Sequence, residues 1–311
     1  MTARRIALTV VVVALVAGVA VYQARTLERA DLDAAARATA PGQFMALTGG
    51  LTHYRLAGPD TGQRVILVHG FSVPSYIWDS TVVALAGAGF RVASYDIYGR
   101  GFSDRPRTRY RPELLVGQLG ELLDSLGWRE PVDLMGLSMG GPVVAAFAGE
   151  QPRRVRSLTL VDPAAGIQGP LPPIFRVPWL GPVLWQALAV PGMAAGQLTD
   201  FVEPSRWPDW ADRYRVQMRF RGFGRALWST LVEGAGRNLD SVYARVGAVG
   251  TPALLIWGTE DQTITIDKAA GVTAAIPQVQ FHRIERAGHL PHMERADVVN
   301  PLLIRFLRTP R

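Results

Sequence analysis

From about position 49 onward the chain alternates short β-branched runs with amphipathic stretches, and that alternation restricts it to a mostly parallel sheet with helices on its faces. Strands are expected over 51–56, 64–68, 90–95, 131–135, 155–161, 252–257 and 279–284, and helices over 78–88, 113–126, 140–149, 268–276 and 296–307. Between 164 and 249 the alternation stops, and tryptophans and prolines crowd together without a convincing strand. The expected class is therefore α/β: a core in two parts, 49–163 and 250–311, with an inserted helical cap at 164–249.

Composition removes several functions. With 48% hydrophobic and 19% charged residues the chain has ample material for a buried sheet. Cysteine is absent, which excludes disulfides, thiolate metal ligands and cysteine nucleophiles. No metal site and no cofactor is expected. The formal charge is +7, but the basic residues are scattered and almost all arginine, Lys268 being the single lysine. Nucleic acid is not an expected partner, because no concentrated basic stripe with interleaved stacking aromatics is present.

The N-terminus differs from the rest. Arg4 and Arg5 precede an uncharged run from Ile6 to Tyr22, which as a helix would reach roughly 25 Å. Residues 1–23 are expected to be a membrane anchor, with a cleaved signal segment and a buried core helix as alternatives, and residues 24–48 a helical stalk or linker. The arginines before the run place the catalytic domain on the extracytoplasmic side, or outside the cell if the segment is cleaved. The bilayer is accordingly an expected partner.

The strongest chemical signal is Gly136-Leu137-Ser138-Met139-Gly140, between an expected buried strand and an expected helix. A serine on so tight a turn needs small neighbours and presents its hydroxyl above the sheet; the plainer reading is a serine capping the helix. A serine nucleophile requires a base. Of five histidines, His53 and His282 fall within strands, His69 ends a strand ahead of the serine, and His289 lies in the loop between the last strand and the last helix, with His292 as the fallback. His289 is the expected base because its loop opens at the carboxyl edge of the sheet, as Ser138 does. Asp261, just past the strand over 252–257, is the expected third member; Asp162 and Glu260 remain alternatives. The oxyanion of acyl transfer needs backbone N–H donors, expected from Met139, after the serine, and from Phe71 in Val68-His69-Gly70-Phe71. Trp179 and Trp185 in the cap, with His69, are the expected substrate-pocket residues, although the cap aromatics have an equally good use as the cap's own core.

Taken in order, Val68-His69-Gly70-Phe71, the stretch Tyr95 to Asp104, Gly136 to Gly141, Trp257 to Asp261 and Ala287-Gly288-His289 resemble the landmarks of the α/β-hydrolase superfamily. With the N-terminal run added, the chain resembles membrane-anchored monoacylglycerol lipases of that superfamily. The resemblance implies that Asp96 shapes the loop beside the site without reacting. His-Gly-Phe in place of His-Gly-Gly-Gly disfavours the lipases and esterases that carry the latter. Epoxide hydrolases and haloalkane dehalogenases carry an aspartate where Ser138 stands, so a serine implies an acyl-enzyme. The expected activity is hydrolysis of lipid-like, monoacylglycerol-like carboxylic esters as small-molecule substrates. The alternatives on the same triad are carbon-carbon bond hydrolysis of ring-cleavage products, haloperoxidase-like esterase activity and acyl transfer, followed by a catalytically inactive lipid-binding protein.

Overall fold

The computed structural model describes residues 3–309. Eight strands form one sheet: β1 (Gln43–Leu47), β2 (Gly50–Ala57), β3 (Arg64–Val68), β4 (Arg91–Tyr95), β5 (Val132–Leu137), β6 (Val155–Val161), β7 (Ala253–Gly258) and β8 (Gln280–Ile284). Their order is β1-β2-β4-β3-β5-β6-β7-β8, antiparallel for β1/β2 and β2/β4 and parallel from β4 to β8. Seven of these strands fall where the alternation places them. The additional one, β1, lies within 24–48 and joins β2 through a tight turn at Thr48-Gly49, where Leu47 pairs with Gly50. Five residues make a weak strand on their own, and the pairing supplies what the local pattern lacks.

The central strands are apolar on both faces, as a parallel sheet covered twice requires. Even and odd positions separate cleanly. Ile66, Val68, Leu134, Leu255 and Trp257 point into one buried cluster, and Val65, Leu67, Met135, Leu254 and Ile256 into the other. The helices Pro112–Ser125 and Gly140–Glu150 cover the first face; Asp79–Gly87 and Ala296–Arg308 cover the second. Because the parallel strands run the same way, the loops after β3, β5, β6, β7 and β8 all open at one edge of the sheet.

Between β6 and β7 the chain is helical, with Trp210–Met218, Phe223–Gly234 and Asp240–Val249 as its longest helices. Phe201, Trp210, Tyr214 and Phe223 are buried in the same cluster as Trp78 and Leu67, so the cap is built onto the core by its rings. Phe201 meets Trp210 edge-on at 5.3 Å and stacks on Trp207 at 5.3 Å. The cap arginines also find internal partners: Arg213 binds Asp79 and lies 4.3 Å from the Tyr76 ring centroid, and Arg225 donates to the carbonyls of Arg105 and Pro106.

The N-terminal expectation needs correction. Helix Ala3–Arg25 covers the apolar run, and several of its side chains lie outside the described residues. Among the described residues no helix is long and apolar enough to cross a membrane. That finding overturns the expected anchor, the bilayer partner and the extracytoplasmic placement. The chain after this helix is tied to the cap instead. Gln186 donates to Thr26 at 3.2 Å, the amides of Gly222 and Gly224 both donate to Glu28 at 2.6 Å, and those of Arg29 and Ala30 donate to the Arg219 carbonyl at 2.9 Å.

Candidate active site

Ser138 sits on the turn between β5 and the helix Gly140–Glu150 with φ of 52°, in the left-handed region that side chains rarely adopt. The surroundings hold it there. Its amide donates to the Val161 carbonyl at 3.0 Å, and its carbonyl accepts from Gly141 at 2.9 Å and Ala164 at 3.0 Å. The small neighbours are obligatory: a Cβ on Gly136 would lie 2.4 Å from the Gly140 carbonyl oxygen, and one on Gly140 would lie 2.4 Å from that of Val68.

The loop after β3 approaches Ser138 closely enough that a Cβ on Gly70 would stand 3.0 Å from Ser138 Cβ. His69 fixes this loop. Its Nε2 accepts from the Ile97 amide at 2.9 Å, so the ring proton resides on Nδ1 and is donated to the Gly70 carbonyl at 2.9 Å. Burial, aided by the Arg100 charge, holds the His69 pKa down to about 4 against the pull of Asp96, leaving the imidazole neutral. Since C=O and N–H of one trans peptide point oppositely, anchoring the Gly70 carbonyl to His69 turns the Phe71 N–H away from that ring. Arg100 fixes the far side of Phe71 by donating from Nε to its carbonyl at 2.7 Å. Neither the Phe71 nor the Met139 amide donates to another backbone group among the described residues. Both residues line a cavity of about 530 Å³ that also contains Ser138.

At the carboxyl edge of β7 and β8, His289 Nδ1 faces Asp261 Oδ2 at 2.8 Å. The other oxygen, Asp261 Oδ1, accepts from the amides of Thr263 at 2.8 Å and Ile264 at 2.9 Å, so the carboxylate is aimed by its own turn. The His289 amide donates to the Asp200 carbonyl at 2.9 Å. Burial disfavours the imidazolium, yet the hydrogen bond and charge of Asp261, with Asp200 behind them, outweigh it and raise the His289 pKa. His289 Nε2 and Ser138 Oγ carry no hydrogen bond among the described residues. Resting enzymes often leave that contact long until substrate is bound.

Asp162, Asp261 and His289 place one ligand-type atom each within 4.8 Å of one another. Their use in a triad and their use as metal ligands exclude one another. An Nδ1 that donates its proton to Asp261 has no lone pair for a metal.

The remaining expected site residues lie elsewhere. His69 is buried beneath its loop. Trp179 is 74% exposed, and Trp185 packs edge-on to Phe175 at 6.1 Å; neither lines the cavity. The cap contributes small and aliphatic residues there instead, among them Leu231, Ala235, Leu239 and Val242. Sequence reasoning also missed Arg100. Wholly buried, it donates to the carbonyls of Phe71 and Tyr98 and to Thr230 Oγ1, with its guanidinium 5.5 Å from the Phe71 ring centroid. The one available signal was an arginine between two glycines, Gly99 and Gly101, both of which adopt positive φ.

Sheet order, the strained serine turn and the inserted cap are those of a hydrolase of the α/β type. A family model described as the alpha/beta hydrolase fold matches residues 63–296, and the chain belongs to that family. A 2-hydroxy-6-oxononadienedioate/2-hydroxy-6-oxononatrienedioate hydrolase of Cupriavidus pinatubonensis is 29% identical over 283 residues, covering 85% of this chain and 94% of that protein. Among solved structures, the enol-lactonase from Burkholderia xenovorans superposes with a TM-score of 0.74 at 25% identity, covering 85% of this chain and 99% of its own. A thermophilic esterase from Thermogutta terrifontis does so with a TM-score of 0.70 at 26% identity, covering 86% and 98%. These relatives support the superfamily and replace the expected resemblance to membrane-anchored monoacylglycerol lipases.

Proposed function

We propose that this protein is a serine hydrolase that cleaves the carbon-carbon bond beside a ketone in small, carboxylate-bearing dienoates, with Ser138 as nucleophile, His289 as base and Asp261 orienting the imidazole. The observation that carries the reading is the 2.8 Å His289–Asp261 contact at the sheet edge where Ser138 opens into its cavity. Similarity over most of the chain to hydrolases named for 2-hydroxy-6-oxo-dienedioates supports the substrate class. Arg245 lines the cavity without an ion pair among the described residues, and so is available to a substrate carboxylate. Arg237, on the same wall, lies 3.8 Å from Glu113.

In this mechanism His289 takes the Ser138 proton as the oxygen adds to the ketone carbon. The Phe71 and Met139 amides hold the oxyanion. The dienol first ketonises, its 2-hydroxyl proton moving to the carbon beside the ketone. Collapse then breaks that carbon-carbon bond with its electron pair leaving as the conjugated dienolate, whose oxygen takes the proton from His289. Water, deprotonated by the same imidazole, then releases the acid from the acyl-serine.

A second reading, hydrolysis of carboxylic or enol esters, is favoured by the similarity to an enol-lactonase and an esterase and by the aliphatic cavity wall. The two differ only in the leaving atom. Turnover of a 2-hydroxy-6-oxo-dienedioate, an enol lactone and a p-nitrophenyl ester series by the wild type and Ser138→Ala separates them. The highest kcat/KM is expected on the dienedioate; a preference for esters of ten-fold or more would replace the first reading by the second.

A further inference from the structure

The geometry points to Asp162 as a second carboxyl in the anchor of His289: a positioning residue that shares one proton with Asp261 and can take over from it. The inference rests on the serine-hydrolase reading above. Asp162 follows β6 directly, as Asp261 follows β7 and His289 follows β8, so neighbouring parallel strands deliver all three to one edge. Its backbone is turned to φ of 41°, a conformation that aspartate tolerates better than most residues but that still has a cost. The turn directs the side chain toward the β7 loop, where Oδ1 accepts from the Gly258 amide at 2.9 Å. Oδ2 is buried and accepts no hydrogen bond among the described residues.

An ionised carboxylate with an unsatisfied buried oxygen beside a second carboxylate would be very costly. A protonated one is not, because its O–H can donate to Asp261. The groups facing this cluster are Asp261, His289, Asp200 and Glu294, so three other acids surround a single imidazole. Glu294 is occupied by the amides of Val202 at 2.8 Å and Gly288 at 2.7 Å. Asp200 accepts from Thr263 at 2.6 Å. Of these acids, Asp162 is the one with a buried oxygen left unsatisfied among the described residues. Burial first, and the Asp261 charge second, hold its carboxyl well above the ordinary range, consistent with a neutral acid at neutral pH.

Two carboxyls that share one proton are interchangeable in principle. When Asp261 is replaced by asparagine, the charge that kept Asp162 protonated disappears, and Asp162 can ionise beside His289.

The test uses p-nitrophenyl acetate hydrolysis and fluorophosphonate labelling of the full chain. Removing the carboxylate of an unassisted triad costs about 10⁴-fold. With Asp162 in reserve, Asp261→Asn should lose only about 10- to 100-fold, and its remaining activity should rise with pH as Asp162 ionises. Asp162→Asn alone, isosteric and tolerant of the same backbone, takes the second carboxyl out of the anchor and should lower activity, though by less than Asp261→Asn does. The double variant should fall to about 10⁻⁴ and lose the pH-dependent rise. If Asp261→Asn is as inactive as the double variant, or shows no pH-dependent rise, the inference is overturned. Should the wild type itself neither turn over nor be labelled, it is the serine-hydrolase reading that fails. Thermal melts of all three variants separate lost activity from lost fold.

Discussion

Two buried histidine–aspartate pairs stand in this molecule with the same contact and different prospects. His53 Nδ1 meets Asp96 Oδ2 at 2.8 Å, and His289 Nδ1 meets Asp261 Oδ2 at 2.8 Å. The difference lies in the second ring nitrogen. His53 Nε2 is tied to the Pro41 carbonyl, so both nitrogens face acceptors, an arrangement that favours the imidazolium. Asp96 spends its remaining capacity on the amides of Ser75 and Phe102, at 2.8 and 2.9 Å. That pair is a clasp between β2, the loop after β4 and the segment before β1. His289 Nε2 has no such tie among the described residues, which leaves it able to exchange a proton. A histidine–carboxylate pair is thus suited to catalysis by what its outer nitrogen is left to do.

The comparison breaks most visibly at Ser138, the proposed nucleophile. Ser138→Ala and His289→Gln should each lower kcat/KM by about three or more orders of magnitude and abolish fluorophosphonate labelling, whereas His53→Gln should still label. If His53→Gln, folded, were as inactive as His289→Gln, the two pairs would not be distinct in kind.

Proton linkage sharpens the contrast because the two sites use their charge oppositely. In the proposed mechanism His289 must be neutral to accept the Ser138 proton, and its pKa is raised, so the acid limb of kcat/KM should lie above the ordinary histidine value of about 6.5. His53 contributes when charged. Burial opposes its protonation, but Asp96 outweighs burial, and the folded pKa is raised. Its stabilisation is therefore complete below the unfolded value of about 6.5 and is lost as pH rises through the folded value. Asp96 behaves inversely. Burial would raise its pKa, His53 depresses it, and its contribution persists above the unfolded carboxylate value and fades only as pH falls through the depressed one. His53→Gln should cost about 3 kcal/mol of unfolding free energy at pH 6, with the gap to wild type narrowing as pH rises through the His53 titration. Denaturant melts at a series of pH values would measure it; a gap that widens with pH would contradict the ion-pair account.

The smallest expected effect lies in the cap. Trp179→Ala should change stability by less than about 0.5 kcal/mol and leave KM unaltered, since the ring is exposed and away from the cavity. A several-fold rise in KM would bring that tryptophan back to the substrate.

Much of the core was legible along the chain because its determinants are local. A period of two marks a strand, and a run apolar at every position marks one covered on both faces. The turn at Ser138 could be read for a similar reason: Gly136, Gly140 and Gly141 leave a signature within six residues. The cap was less legible. Its tryptophans look the same in sequence whether they wall a cavity or pack on the core, and only the contacts of Phe201, Trp210 and Phe223 with the sheet face decide the matter. Strand β1 escaped notice because its stability comes from the Leu47–Gly50 hairpin rather than from its own five residues.

By itself the amino-acid order determined the alternating elements, and with them the parallel sheet and the edge at which its loops gather, because these follow from side-chain periodicity and steric rules acting over a few residues. Only the tertiary structure decided which of Asp162, Glu260 and Asp261 faces His289, which histidine keeps a free nitrogen, and that a buried arginine braces the loop at Phe71. Those outcomes depend on groups brought together from distant parts of the chain, and on the burial that sets whether each carries a proton.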